Sequence, residues 1–144
     1  MLLNLAPVLI DLQVLVVDSD VDSCELLRFA LEQYALTVRT AVSVPQALHL
    51  FATFQPDILI TTLWLPEQDG YTLLSKIRRL EPVRGGKALA LAVTADTTQP
   101  LQQAIAAGFV KVLLKPIDVE KLAAMLAELV RQEGFLPTVC LHGF

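Results

Sequence analysis

Basic residues are in short supply in this chain: 11 Lys and Arg stand against 15 Asp and Glu, a formal net charge of −4. No basic field is available to hold a phosphate backbone by counterion release, so direct nucleic acid binding is not an expected function. Cysteine is scarcer still. Cys24 and Cys140 lie near opposite ends of the sequence, which reads as two reduced thiols rather than a disulfide framework. A long apolar run is also missing, because the stretch from Met1 to Ile10 is broken by Asn4 and Pro7 and followed by Asp11, too short for a membrane span. The same stretch has neither a basic leader nor a small-residue cleavage site. A cytoplasmic protein with no membrane partner is expected. Phosphate-cradling glycine loops are absent as well: no G-x-G-x-x-G follows the first strand, and no G-x-x-x-x-G-K-[ST] occurs anywhere.

What the chain does have is apolar surface to bury. Its hydrophobic fraction is 54%, with a mean hydropathy of +0.57. That suits a parallel sheet whose strands are covered on both faces, and 144 residues suffice for one domain with a real core. Strands and helices alternate from Gln13 onward, the pattern of an α/β protein. Gln13 to Val17 is a continuous β-branched and apolar run that reads as a buried strand. Asp22 and Glu25 predict a capping box for a first helix carrying Cys24, Leu27, Leu31 and Tyr34 at helical spacing. Leu36 to Ala41 is a shorter, more polar strand expected near the sheet edge, followed by a helix with Ala47, Leu48, Leu50, Phe51 and Phe54.

Ile58 to Thr61 predicts a third strand and Tyr71 to Leu80 its helix, with Glu81 to Gly86 read as a loop on account of its proline and paired glycines. Ala88 to Val93 reads as the fourth strand, Gln99 to Ala107 as a helix stopped by Gly108, and Val110 to Leu114 as the fifth strand. A last helix presents Val119, Leu122, Met125, Leu126 and Leu129 on one face. In an open sheet of this kind functional residues gather beyond the carboxyl ends of the strands. Asp18, Thr62, Thr94 and Lys115 all fall there, and a single cluster is expected.

The segment Pro56-Asp57-Ile58-Leu59-Ile60-Thr61-Thr62-Leu63-Trp64-Leu65-Pro66-Glu67-Gln68-Asp69-Gly70 resembles the third strand and following loop of response-regulator receiver domains. The resemblance extends from Gln13 to Arg131 through several motifs in order: Asp18 after the first strand, the Leu-Pro-x-x-Asp-Gly loop, Thr94, and the pair Lys115-Pro116. It implies a flavodoxin-like (βα)5 doubly wound sandwich around a five-stranded parallel sheet. It also implies a signalling module rather than an enzyme, with 13–132 as the receiver-like domain between an extension at 1–12 and a tail at 133–144.

In that family the residue at the place of Thr62 is the aspartate that takes a phosphoryl group from a histidine kinase. Two acids after the first strand hold Mg²⁺ with it. Asp18 matches the first acid, but Ser19 stands at the second, so two of three expected carboxylates are missing. Mg²⁺ wants oxygen ligands that include one or two carboxylates, and weak or absent binding is expected, with Asp18 and Asp20 as residual candidates. Asp20 reads first as a helix cap. A neutral Thr62 hydroxyl is a poor nucleophile without a base, and His49 and His142 are not placed to act as one.

Trp64 either covers the rim of the pocket or points away from it. Asp57 lies at the far end of the third strand, roughly 16 Å from Thr62 at strand rise, and is excluded. Asp69 is expected to shape its loop and Glu67 to be solvated. Lys115 is left facing mainly Asp18. The family's switch aromatic corresponds to Val112, a stiff aliphatic that cannot swing between rotamers as an aromatic does.

The expected function is therefore that of a degenerate receiver, which binds signalling proteins such as a histidine kinase or other regulator domains without aspartyl phosphorylation. One alternative is a phosphorylatable receiver using a neighbouring acid or Thr62. Another is a small-ligand or nucleotide sensor. The apolar ends, including Leu2, Leu3, Leu5 and Phe135, Leu136, Phe144, leave three readings open: packing on the domain, a homodimer, or linkers of a larger protein.

Overall fold

The computed structural model describes residues 11–84, 88–96, 98 and 100–132. Along the chain run β1 (Gln13–Val17), α1 (Val21–Glu32), β2 (Thr37–Ala41), α2 (Val44–Phe51), β3 (Ile58–Thr62), α3 (Gly70–Arg84), β4 (Leu89–Thr94), α4 (Leu101–Ala107), β5 (Lys111–Leu114) and α5 (Val119–Gln132). The strands pair in parallel in the order β2-β1-β3-β4-β5. This is the expected flavodoxin-like (βα)5 fold, with the more polar β2 on an edge.

The two-residue period of the strands divides the core between two layers. Val14, Val16, Ile58, Ile60, Leu91 and Val93 face one layer, which α1 fills with Leu27 and Leu31 and α5 with Leu122 and Leu126. Leu15, Val17, Leu59, Ala90 and Ala92 face the other, against Ala47 and Phe51 of α2, Leu73 and Ile77 of α3, and Ala104 of α4. Phe109 completes that second layer, its ring edge-on to Tyr71 with centroids 5.9 Å apart. Every residue of β3 and β4 is buried, as their unbroken apolar runs require.

Two local expectations are corrected. The N-cap of α1 is Asp20, whose carboxylate accepts from the Asp22 backbone N–H at 3.1 Å and from the Ser23 hydroxyl at 2.9 Å, so Asp22 and Glu25 do not form the cap. The segment read as a loop from Glu81 instead continues α3 as far as Arg84. Glu81 is buried there and accepts from the Ala88 backbone N–H at 2.6 Å and from Arg78 at 2.7 Å, tying the helix end to the start of β4. These charge-assisted bonds fix the helix at Glu81. Gln99, read as the start of α4, lies outside the described residues, and α4 begins at Leu101.

Gly108 ends α4 with a left-handed φ of 114°, the conformation that makes glycine the usual residue at this position. Leu12, assigned by sequence to the extension, is buried in the first core layer. The rest of that extension, up to Ile10, and the tail at 133–144, with Cys140 and His142, lie outside the described residues.

Candidate functional site

Parallel pairing brings the exits of four strands to one edge of the sheet. Val17 is paired with Thr61, Thr62 with Val93, and Thr94 with Leu114, so the residues that follow meet above the strand ends. Asp18 is anchored by its own N–H, which donates to the Ala41 carbonyl at 3.0 Å. Lys115 is anchored likewise, its N–H donating to the Thr94 carbonyl at 3.0 Å. From those anchors the Lys115 Nζ reaches Asp18 Oδ2 at 2.8 Å, an ion pair between residues 97 apart in sequence. The lysine is about one-third exposed (33%), and the carboxylate is mostly buried.

The other Asp18 oxygen, Oδ1, accepts from the Asp20 N–H at 2.9 Å. Behind the turn, Cys24 donates its thiol to the Asp18 carbonyl at 3.2 Å. Burial, and then the charge of Asp18, push that thiol up to about 11, so Cys24 stays protonated and structural.

Thr62, the residue expected at the acceptor position, is only 7% exposed and is the last residue of β3. The loop beyond it is closely fitted. The Gly70 N–H donates to the Leu63 carbonyl at 2.9 Å, and Asp69 Oδ1 accepts from the Thr72 N–H at 2.8 Å in the first turn of α3. A Cβ on Gly70 would lie 2.7 Å from the Thr62 carbonyl oxygen, so no larger residue fits without a backbone shift. Thr94 is buried, and its hydroxyl oxygen accepts from the Asp96 N–H at 3.0 Å.

The structure brings Asp18, Thr62, Thr94 and Lys115 together and leaves three sequence candidates outside. Ser19 is exposed beyond the turn. Trp64, at 57% exposed, stands largely in solvent. Val112 is half-buried against the second core layer. Asp57 sits at the opposite end of β3, as spacing required, where it accepts from the Gln13 N–H at 2.8 Å.

The carboxylates that the resemblance offered to Mg²⁺ are each engaged within the chain. Asp18 commits one oxygen to Lys115 and the other to a backbone N–H, while Asp20 is used as the α1 cap. Among the described residues no group of three or more His, Cys, Asp or Glu side chains converges.

A cleft of about 420 Å³ runs from the Asp18–Lys115 pair between α1 and the segment from Pro116 to Val119, floored by Val16, Ile60 and Val93. The signal for it in the sequence is faint: Leu26, on the rim, breaks the amphipathic pattern of α1 and is 71% exposed.

A model of the response regulator receiver domain matches residues 14–127. The chain belongs to that family. Among curated relatives, this receiver is 36% identical over 111 residues to an uncharacterized 14.6 kDa protein of Leptolyngbya boryana, covering 76% of this chain and 83% of that one. It is 28% identical over 130 residues to RpaA of Synechocystis, described as a DNA-binding dual master transcriptional regulator. That match covers 90% of this chain and 54% of RpaA, so the receiver spans about half of that regulator.

Among solved structures, a two-component response regulator from Clostridium difficile superposes with a TM-score of 0.77 at 24% identity, over 85% of this chain and 98% of the other. A CheY-like receiver domain from Methylobacillus flagellatus gives 0.73 at 26% identity, over 82% and 98% respectively. The Clostridium match speaks for the fold alone. No helix among the described residues is long and apolar enough to cross a membrane.

Proposed function

We propose that this receiver domain works in two-component signalling as a cytoplasmic protein-binding module that is not phosphorylated on an aspartate. The observation that carries this reading is Thr62, a neutral side chain at the exit of β3 where the family's phosphoacceptor stands, beside an Asp18 whose two oxygens are already taken. Phosphoryl transfer needs an in-line nucleophile and a cation to draw charge from the equatorial oxygens. Neither requirement is served by a threonine with no neighbouring base and a carboxylate paired with lysine. The ion pair supports a site held in one arrangement. Lys115 already has a partner that a phosphoryl group would have to displace. Val112 supports the same reading, since a packed β-branched residue has no second rotamer to offer an aromatic-type switch.

Receiver domains interact with histidine kinases, phosphotransfer proteins and other domains. The partner proposed here is of that class, recognising a receiver surface without a phosphorylation signal. Incubation of the full chain with Mg²⁺ and acetyl phosphate, followed by intact mass, tests the reading. The expected spectrum has no adduct, and a stoichiometric, base-labile phosphoryl adduct would overturn it. The double variant Ser19→Asp with Thr62→Asp is expected to gain the adduct, which would place the loss in those two residues.

A further inference from the structure

Thr62 raises a question that the lost phosphoacceptor does not answer. It lines the cleft and is 7% exposed, yet its hydroxyl has no hydrogen-bond partner among the described residues. Buried hydroxyls are nearly always paired, because an unsatisfied one costs about 1–3 kcal/mol. The neighbouring threonines obey this rule: Thr61 donates to the Thr62 carbonyl at 2.9 Å, and Thr94 accepts from the Asp96 N–H.

The space around the Thr62 hydroxyl has the character of a small-molecule site. Its volume of about 420 Å³ falls within the roughly 300–1,000 Å³ usual for ligand clefts, which combine apolar walls with a few polar groups. Here Ile60, Leu27, Ile117 and Val119 supply walls, while Asp18, Lys115 and Thr62 gather where the strands end. Ser23 also borders the cleft, but its hydroxyl is committed to Asp20.

Charge narrows the ligand class. Asp18 and Lys115 already neutralise each other at 2.8 Å, so a carboxylate or an ammonium entering the cleft would leave one charge without a partner. A neutral oxygen acceptor avoids that cost. It can take the Thr62 O–H and one of the ammonium hydrogens that Lys115 does not spend on Asp18.

We propose that the cleft between α1 and the segment after β5 binds a small, neutral, largely apolar molecule through one oxygen acceptor of the carbonyl or amide class, held by Thr62 and Lys115. This rests on the reading that Thr62 is not a phosphoacceptor. Binding would make the domain responsive to a ligand at the site where its relatives respond to phosphate.

The test is a ¹⁵N NMR titration of the full chain with octanamide, octanoate and octylammonium, which share one apolar body and differ in charge. Octanamide is expected to give saturable shifts centred on the amides of Thr62, Lys115 and Ile117, with an affinity several-fold above either ion. Thr62→Val should weaken it by about three- to tenfold, the loss of one net hydrogen bond. Ile117→Trp, which fills the cleft from a half-buried position, should abolish it.

No saturable shift, tighter binding of either ion, shifts centred on exposed Phe29 instead of the cleft, or an unchanged affinity in Thr62→Val would each overturn the proposal. Intact mass after acetyl phosphate treatment of the same samples separates the two readings. A phosphorylated parent that still binds octanamide sinks the phosphorylation-independent function and leaves the cleft. An unmodified parent that does not bind sinks the cleft alone.

Discussion

The two ends of β3 treat acidity in opposite ways. At its entry Asp57 is a half-buried carboxylate, held by the Gln13 N–H of the adjacent strand, and burial raises its pKa above the ordinary carboxylate value. At its exit stands a neutral residue, Thr62, and the carboxylate nearby, Asp18, is matched by Lys115. The entry acid satisfies a backbone donor that would otherwise be left bare, so it has a structural role despite its desolvation. At the exit the Asp20 backbone N–H already has the Asp18 carboxylate as its acceptor. Grouped carboxylates repel one another unless a cation joins them, so a pocket with fewer of them carries less of that repulsion.

The largest effect on this contrast is expected from Gly70, which lets the exit loop close on Thr62. Gly70→Ala should destabilise the fold by about 2–3 kcal/mol, since the added Cβ meets backbone rather than a yielding side chain. Urea unfolding measures it, and a change under about 0.5 kcal/mol would show that the loop is not tightly fitted.

Next comes the ion pair. Lys115→Met should cost about 1–2 kcal/mol by leaving Asp18 mostly buried and unpaired, with the lysine's partial exposure keeping the loss below that of a fully buried pair. Adding Asp18→Asn to it should recover most of the loss. A double-mutant cycle with no coupling would remove the ion pair as the organiser of the exit.

Thr62→Val is expected to act in the other direction, stabilising the ligand-free protein by about 1 kcal/mol through removal of an unpaired buried hydroxyl. Destabilisation by that amount would show that the hydroxyl has a structural partner after all.

The smallest effect belongs to the entry. Because the folded-state pKa of Asp57 is raised, the folded chain keeps a proton that the unfolded chain releases. Its contribution to stability is therefore lost as pH rises from the ordinary value of 3.8 through the raised one. Asp57→Asn keeps the oxygen that accepts from Gln13 and should be more stable than the parent at neutral pH, by at most about 1 kcal/mol, with the advantage vanishing as pH falls below that window. Denaturation curves at pH 3.5 and 7 check the sign.

Much of this molecule was legible before its structure. The five strand-helix units follow from local periodicity, and Asp57 could be placed far from Thr62 by counting residues at strand rise. The misreadings differ in origin. The end of α3 was hidden because the Glu81 carboxylate bonds the Ala88 N–H seven residues on, whereas the α1 cap is a local contact of Asp20 with the Asp22 N–H, where the reading of Asp20 as a cap holds and the Asp22–Glu25 box does not. Trp64 left two orientations open because a rim position does not state which way an indole turns.

The sequence by itself determined the α/β fold, the family, and the absence of carboxylates at Ser19 and Thr62, because residue identity and hydrophobic period are local properties. Only the tertiary structure decided the 2.8 Å contact that closes Lys115 on Asp18, the exposure of Trp64, and the apolar cleft beside a Thr62 hydroxyl that has no partner among the described residues. Those depend on how α1 and the segment after β5 pack across the sheet edge. Such packing is set by shape and distance between residues that the chain keeps far apart.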